Sequence, residues 1–141
     1  MKNTAIIIPS RLAARRFPNK PLVKINNVPM IIHVLNKAIE ARVGEVFVAT
    51  PDVEIFNIVN NNGGNGILTK HDHVSGSDRI YEVYSKRLKR NTDLIINLQG
   101  DMPNIKPHNI SKLVKLMKNN NCDIGTLASN IKDKSEIIDP N

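Results

Sequence analysis

Short apolar runs alternate with stretches of helical period along this chain of 141 residues. Thr4–Ile8 reads as a buried strand, because four apolar residues follow one another without a polar break. A helix is predicted from Pro29 to about Arg42, with Ile31, Val34, Leu35 and Ala38 on one face and Gly44 closing it. Glu45–Thr50 is a second strand. Asp52 is placed to cap a helix through about Asn61. Gly63-Gly64 is a turn before a short third strand, Gly66–Lys70. Ser75 or Ser77 caps the next helix, whose Ile80, Val83, Tyr84 and Leu88 face inward. Asp93–Gln99 is a fourth strand around Leu94-Ile95-Ile96. Pro107 opens a helix with Ile110, Leu113, Val114 and Met117 at the i, i+3, i+4, i+7 positions, and Asp123–Ser129 is a fifth strand. Strands alternating with helices in this way predict an α/β domain, a parallel sheet with helices on both faces.

Composition narrows the picture. Apolar residues make up 40% and charged residues 23%, the balance of an ordinary globular domain, and the length is that of one domain, residues 1–141. The net charge of +7 favours an anionic partner. Aromatic content of 4% without Trp argues against a stacking platform for nucleic acid. The lone Cys122 rules out an intramolecular disulfide framework and reads as a core residue in a reducing compartment. Ala5–Ile8 is too short for the apolar core of a signal peptide, and nothing approaches the length of a membrane span. The expectation is a cytoplasmic protein that binds neither nucleic acid nor membrane.

Three segments carry candidate chemistry. Directly after the first strand come Arg11, Arg15, Arg16 and Lys20. Ligands of open α/β sheets bind at the carboxyl ends of the strands, and four cations there call for an anion, a polyphosphate above all. The loop matches neither the P-loop nor the dinucleotide glycine pattern, so a plain solvated basic loop stands as the alternative. At the end of the fourth strand lies Gln99-Gly100-Asp101-Met102-Pro103. An aspartate there, behind a glycine that permits close approach, is suited to Mg²⁺, which often takes one or two protein carboxylates and completes its shell with phosphate and water. The same composition also makes an ordinary turn. His71-Asp72-His73-Val74-Ser75-Gly76-Ser77-Asp78-Arg79 joins the third strand to the next helix. Ser75, Gly76 and Ser77 at a helix N-terminus offer hydroxyl and amide donors to an anionic or sugar ligand. His71 and His73 fit no zinc spacing and read as structural or substrate-adjacent.

Taken together and in this order, these segments closely resemble the 3-deoxy-manno-octulosonate (Kdo) cytidylyltransferases. The matching runs are Ile8-Pro9-Ser10-Arg11, Arg16-Phe17-Pro18-Asn19-Lys20-Pro21-Leu22, His73–Arg79 and Gln99–Pro103, with further likeness at Asn26–Val34 and Val48–Thr50. The resemblance covers essentially the whole chain. It implies a Rossmann-like nucleotidyltransferase fold and a reaction in which the anomeric hydroxyl of Kdo attacks the α-phosphate of CTP, releasing pyrophosphate and forming CMP-Kdo for lipopolysaccharide synthesis. It assigns Arg11, Arg16 and Lys20 to the triphosphate, Asp101 to Mg²⁺, and Gln99, Ser75, Gly76, Ser77 and Arg79 to the substrate. An acylneuraminate-type cytidylyltransferase and an inactive nucleotide-binding fragment are the neighbouring readings. The chain departs from the family at Ala14 and Arg15, at Val74 and at Met102, where members carry Ser or Thr, Gln and Glu respectively. Members are also longer. Their later part supplies a second metal-binding aspartate, sugar-acid contacts and much of a dimer interface, so the resemblance is to an N-terminal portion.

Overall fold

Ile6, Ile7 and Ile8 are fully buried, and the strand that carries them lies in the middle of the sheet. The computed structural model describes residues 3–13 and 17–131. Strand β1 (Thr4–Pro9) pairs in parallel with β4 (Glu45–Thr50) on one side and β6 (Leu94–Asn97) on the other, and β5 (Gly66–Leu68) adds to β4. The order is β5-β4-β1-β6, and the strands form the parallel sheet that the sequence predicts.

Alternate side chains of β1 serve opposite faces. Ile6 and Ile8 pack with Ile31, Val34 and Leu35 of α1 (Met30–Glu40), Ile55 and Val59 of α2 (Val53–Asn61), and Ile110 and Val114 of α4 (Pro107–Asn119). Ala5 and Ile7 pack with Ile80 and Val83 of α3 (Gly76–Val83). Each fully buried Ile or Leu contributes about 1.5–3 kcal/mol. Beyond Val83 the helix winds into a π turn, Tyr84–Leu88, which still buries Leu88.

Several local expectations need correction. Pro29 is not the first residue of α1 but its N-cap, in extended geometry, and it belongs to a small antiparallel hairpin of β2 (Lys24–Ile25) and β3 (Val28–Pro29). Asn26 and Asn27, both at positive φ, make the turn. The left-handed residue that ends α1 is Arg42, with φ of 51°, not Gly44. Gly44 is required for a different reason. A Cβ there would sit 1.9 Å from the carbonyl oxygen of Thr4, at the start of the β1–β4 pairing.

The fifth strand, Asp123–Ser129, does not form. A strand needs a hydrogen-bonding neighbour, and residues 123–127 stand off β6 across a groove of about 520 Å³ lined by Leu94, Ile96, Met102 and Met117. Cys122, just before this run, is exposed and not part of the core.

Candidate active site

Pro9, the last residue of β1, is the point on which the site is assembled. Two glycines bracket it. A Cβ on Gly76 would lie 3.2 Å from Pro9 Cγ, and one on Gly100 would lie 3.1 Å from the Pro9 carbonyl oxygen. Gly100 is thus present for close approach, the role read from the sequence. The lack of side chains lets the loop before α3 and the loop after β6 both close onto the end of the central strand. Between them is a cleft of about 260 Å³.

The cleft is lined by Arg11 and Lys20 from the loop after β1, His73 and Ser75 from the loop before α3, Gly76 and Arg79 from α3 itself, and Gln99 and Asp101 from the loop after β6. Lys20 comes from a short 3-10 turn, Lys20–Leu22, and its Nζ donates to Asp101 Oδ2 at 2.8 Å. The pair joins residues 81 positions apart, and both side chains are about half exposed. Cation and carboxylate therefore share one wall and remain open to a ligand. Gln99 is exposed, and its Nε2 donates to Asn97 Oδ1 at 2.8 Å.

The other candidates are arranged less simply. Arg16 lies outside the described residues. Ser77 is exposed and is not part of the cleft lining. Ser75 is the residue that caps α3, and its donors are spent there. Its amide and its hydroxyl both donate to Asp78 Oδ2, at 3.1 and 2.7 Å, while its oxygen accepts the Asp78 amide at 3.1 Å. Donors for a ligand at this helix start are first-turn amides such as that of Gly76, which have no intrahelical partner.

Arg79 lines the cleft, yet it is 2% exposed and its Nη1 donates to the Lys70 carbonyl at 2.8 Å and to Thr69 Oγ1. Burial lowers its guanidinium from the ordinary value; Arg11 acts the same way, and Asp52 and Glu82 oppose both.

Sequence reasoning missed Glu82 altogether. Its position one helical turn after Arg79 was the available signal. Burial pushes its carboxyl up, but hydrogen bonds from His73, Lys86 and the Lys70 amide outweigh that and hold it at about 2. Ser10 was also missed. It is 7% exposed, lines the cleft, and its hydroxyl has no partner among the described residues.

Among the described residues no cluster of three or more His, Cys, Asp or Glu is placed to hold a metal ion. The donor set at the cleft is one half-exposed carboxylate, Asp101, next to cations suited to phosphate. That set fits Mg²⁺ delivered with a polyphosphate, which supplies most of the ligand oxygens itself. It does not fit a metal held by protein alone.

Residues 5–141 match the family model described as cytidylyltransferase. The chain belongs to the cytidylyltransferase family. Among its curated relatives is the 3-deoxy-manno-octulosonate cytidylyltransferase of Rhodopseudomonas palustris (strain BisB18), 44% identical over 139 residues. That alignment covers 98% of this chain and 57% of the relative. The protein of the same name from Thermodesulfovibrio yellowstonii is 43% identical, with 98% of this chain and 56% of the relative covered. The chain thus spans a little over half the length of the relatives it matches.

Among solved structures, CMP:2-keto-3-deoxy-manno-octonic acid synthetase complexed with CTP superposes with a TM-score of 0.79 at 40% identity, over 84% of this chain and 48% of that one. A cytidylyltransferase from Leptospira borgpetersenii, 21% identical, shares the fold with a TM-score of 0.74 over 86% of this chain and 51% of its own. The nucleotidyltransferase fold expected from the sequence is the fold observed. Among the described residues no helix is long and apolar enough to cross a membrane.

Proposed function

We propose that this cytidylyltransferase domain binds CTP and transfers CMP to the anomeric hydroxyl of Kdo. The observation that carries the reading is the Lys20–Asp101 pair. Two motifs 81 residues apart meet at 2.8 Å, in a cleft that Arg11 and Arg79 also line, within a chain 44% identical to a protein named for this reaction.

In the reaction the sugar oxygen forms a bond to the α-phosphorus. The α–β phosphoanhydride bond breaks, pyrophosphate leaves with the bonding pair, and the hydroxyl proton passes to solvent. Phosphoryl chemistry of this kind depends chiefly on alignment and on neutralising charge. Arg11 and Lys20 offset the triphosphate charge, and the resemblance adds Arg16. Gln99, beside Asp101, offers a side-chain amide to the substrate. Lys20 turns from Asp101 to phosphate when the nucleotide enters, which frees the carboxylate. Asp101 is the residue that would hold Mg²⁺, which when bound adds positive charge at the phosphates. We also assign the reaction to the cytoplasm, where CTP is made, and a homodimer to the whole protein.

Thermal denaturation with Mg²⁺ and millimolar nucleotide tests the binding step, because a ligand of the native state raises its stability. CTP is expected to raise the midpoint more than ATP or GTP does. Equal shifts, or none, would remove the nucleotide assignment. Pyrophosphate release from CTP tests the acceptor: it is expected with Kdo and not with sialic acid, and release with sialic acid alone would overturn the choice of sugar.

A further inference from the structure

Glu82 faces the back of the loop that joins β5 to α3, and the reaction described above gives it no task. Glu82 and Arg79 are three residues apart on α3 and share a face. Together they hold Lys70 at both of its backbone groups. Arg79 Nη1 donates to the Lys70 carbonyl at 2.8 Å, and Glu82 Oε2 accepts the Lys70 amide at 3.0 Å. The same Oε2 meets His73 Nε2 at 2.5 Å, and Oε1 takes Lys86 Nζ at 2.6 Å. The Glu82 side chain is 10% exposed and that of His73 16%, so the contact is largely shielded from water.

The loop's ends are secured without Glu82. The Thr69 amide donates to the Thr50 carbonyl at 2.9 Å, and the Ser75–Asp78 capping box fixes the other end. Between those anchors His73 is the residue that reaches the cleft, and its tie is to Glu82. An ionised carboxylate only accepts hydrogen bonds. Nε2 is therefore the nitrogen that carries the shared hydrogen, and Nδ1, with no hydrogen bond among the described residues, keeps a lone pair that suits a hydroxyl or amino donor of the nucleotide and not a phosphate oxygen.

We propose that Glu82 is a positioning residue of the nucleotide site: it sets the tautomer and orientation of His73, and through that ring it sets the affinity for CTP. A carboxylate behind an imidazole is a general means of choosing which ring nitrogen faces a ligand. The proposal rests on the CTP reading above.

A double-mutant cycle separates action through His73 from simple support of the fold. Calorimetric titration of Mg·CTP compares the wild-type chain with Glu82→Gln, His73→Ala and the double variant. The loss of one oriented hydrogen bond predicts that Glu82→Gln weakens CTP binding about 5- to 10-fold in the wild-type background. With His73→Ala already present, the same change is expected to cost less than about 2-fold, because little coupling remains to lose. Equal losses in both backgrounds would overturn the proposal, as would no loss in the first.

Two-bond ¹H–¹⁵N spectra of the imidazole give a readout that needs no ligand. The wild type is expected to show the Nε2-protonated form and Glu82→Gln a mixture of tautomers. A wild-type ring protonated at Nδ1 alone would contradict the assignment. Should Glu82→Gln fail to fold, Glu82→Asp, whose shorter side chain draws the carboxylate back from the ring, takes its place in the titration cycle with the same expected losses, and the wild-type spectrum alone tests the tautomer. A wild-type chain that binds no CTP removes the function and this proposal together, whereas CTP binding with additive losses removes this proposal alone.

Discussion

Replacing Gly100 with alanine adds one methyl group at the most constrained point of the cleft. The new Cβ would lie 3.1 Å from the Pro9 carbonyl oxygen, 3.5 Å from Ile31 Cδ1 and 3.6 Å from Ile8 Cγ2. The last two are ordinary contacts. The first is short by about 0.3 Å relative to normal non-bonded separation. The oxygen has little room to retreat. The Ser10 amide donates to the Ala49 carbonyl at 2.9 Å and the Leu98 amide to the Ile7 carbonyl at 3.2 Å, which pins β1 on either side of Pro9. The loop after β6 must give way, and Gln99 and Asp101 move with it.

Overpacking of this size costs about 1–2 kcal/mol. For a domain of this length that lowers the melting temperature by about 2–6 °C. Displacing Asp101 by a few tenths of an ångström from Lys20 predicts a loss of Mg·CTP affinity of about 5-fold. Differential scanning fluorimetry and calorimetric titration measure the two effects. Gly63→Ala is the comparison: Gly63 has φ of +76° and nothing within 4 Å of its added Cβ. That substitution strains the backbone by about 1 kcal/mol far from the cleft. It should lower the melting temperature and leave CTP affinity alone. Gly100→Ala with wild-type affinity would refute the claim that the Gly100–Pro9 contact places Asp101.

Two further outcomes follow from charge. The Glu82 carboxyl lies at about 2, below its ordinary 4.5, so its contribution is complete above pH 5 and is lost as the pH falls toward 2. Chemical denaturation at pH 5 and pH 3 should show the wild type losing about 2 kcal/mol more than Glu82→Gln between the two, at about 1.4 kcal/mol per pH unit of displacement; parallel losses would contradict the sign. Arg11→Ala should weaken CTP binding about 10-fold, the lower end for a charge-assisted contact at an exposed site, while Lys118→Ala changes it less than 2-fold; equal effects would mean general charge attraction.

The strand plan was legible because burial on both faces leaves a plain mark. Thr4–Ile8 reads as a buried strand, and the sheet places it between two neighbours; Glu45–Thr50 has the observed bounds. Pro107 marked the start of α4 for the same kind of local reason, its missing amide. The β2–β3 hairpin was not read, since its signal is two asparagines at positive φ in place of an Asn-Gly pair. The fifth strand failed because a strand is a property of two segments, and the sequence of residues 123–129 does not reveal whether β6 lies within hydrogen-bonding reach.

The site divides along the same line. Arg11, Lys20 and Asp101 follow from their place after strand ends, Gln99 from the family resemblance, and all four converge on the cleft. Ser75 looks from its place at a helix start like a ligand donor, and the resemblance implies the same of Arg79. The structure spends the Ser75 donors on Asp78, and Arg79 Nη1 on Thr69 and Lys70. Those partners are fixed by the path of the loop, which no spacing rule supplies.

Titrating CTP with and without Mg²⁺, into the wild-type chain and into Asp101→Asn, tests most directly whether the opening loop and Asp101 serve one nucleotide tail. The account predicts that Mg²⁺ tightens CTP binding about 10-fold for the wild type, the effect of one carboxylate and the phosphates sharing the ion, and less than 2-fold for the variant. An Asp101→Asn chain that keeps the full Mg²⁺ enhancement would contradict it.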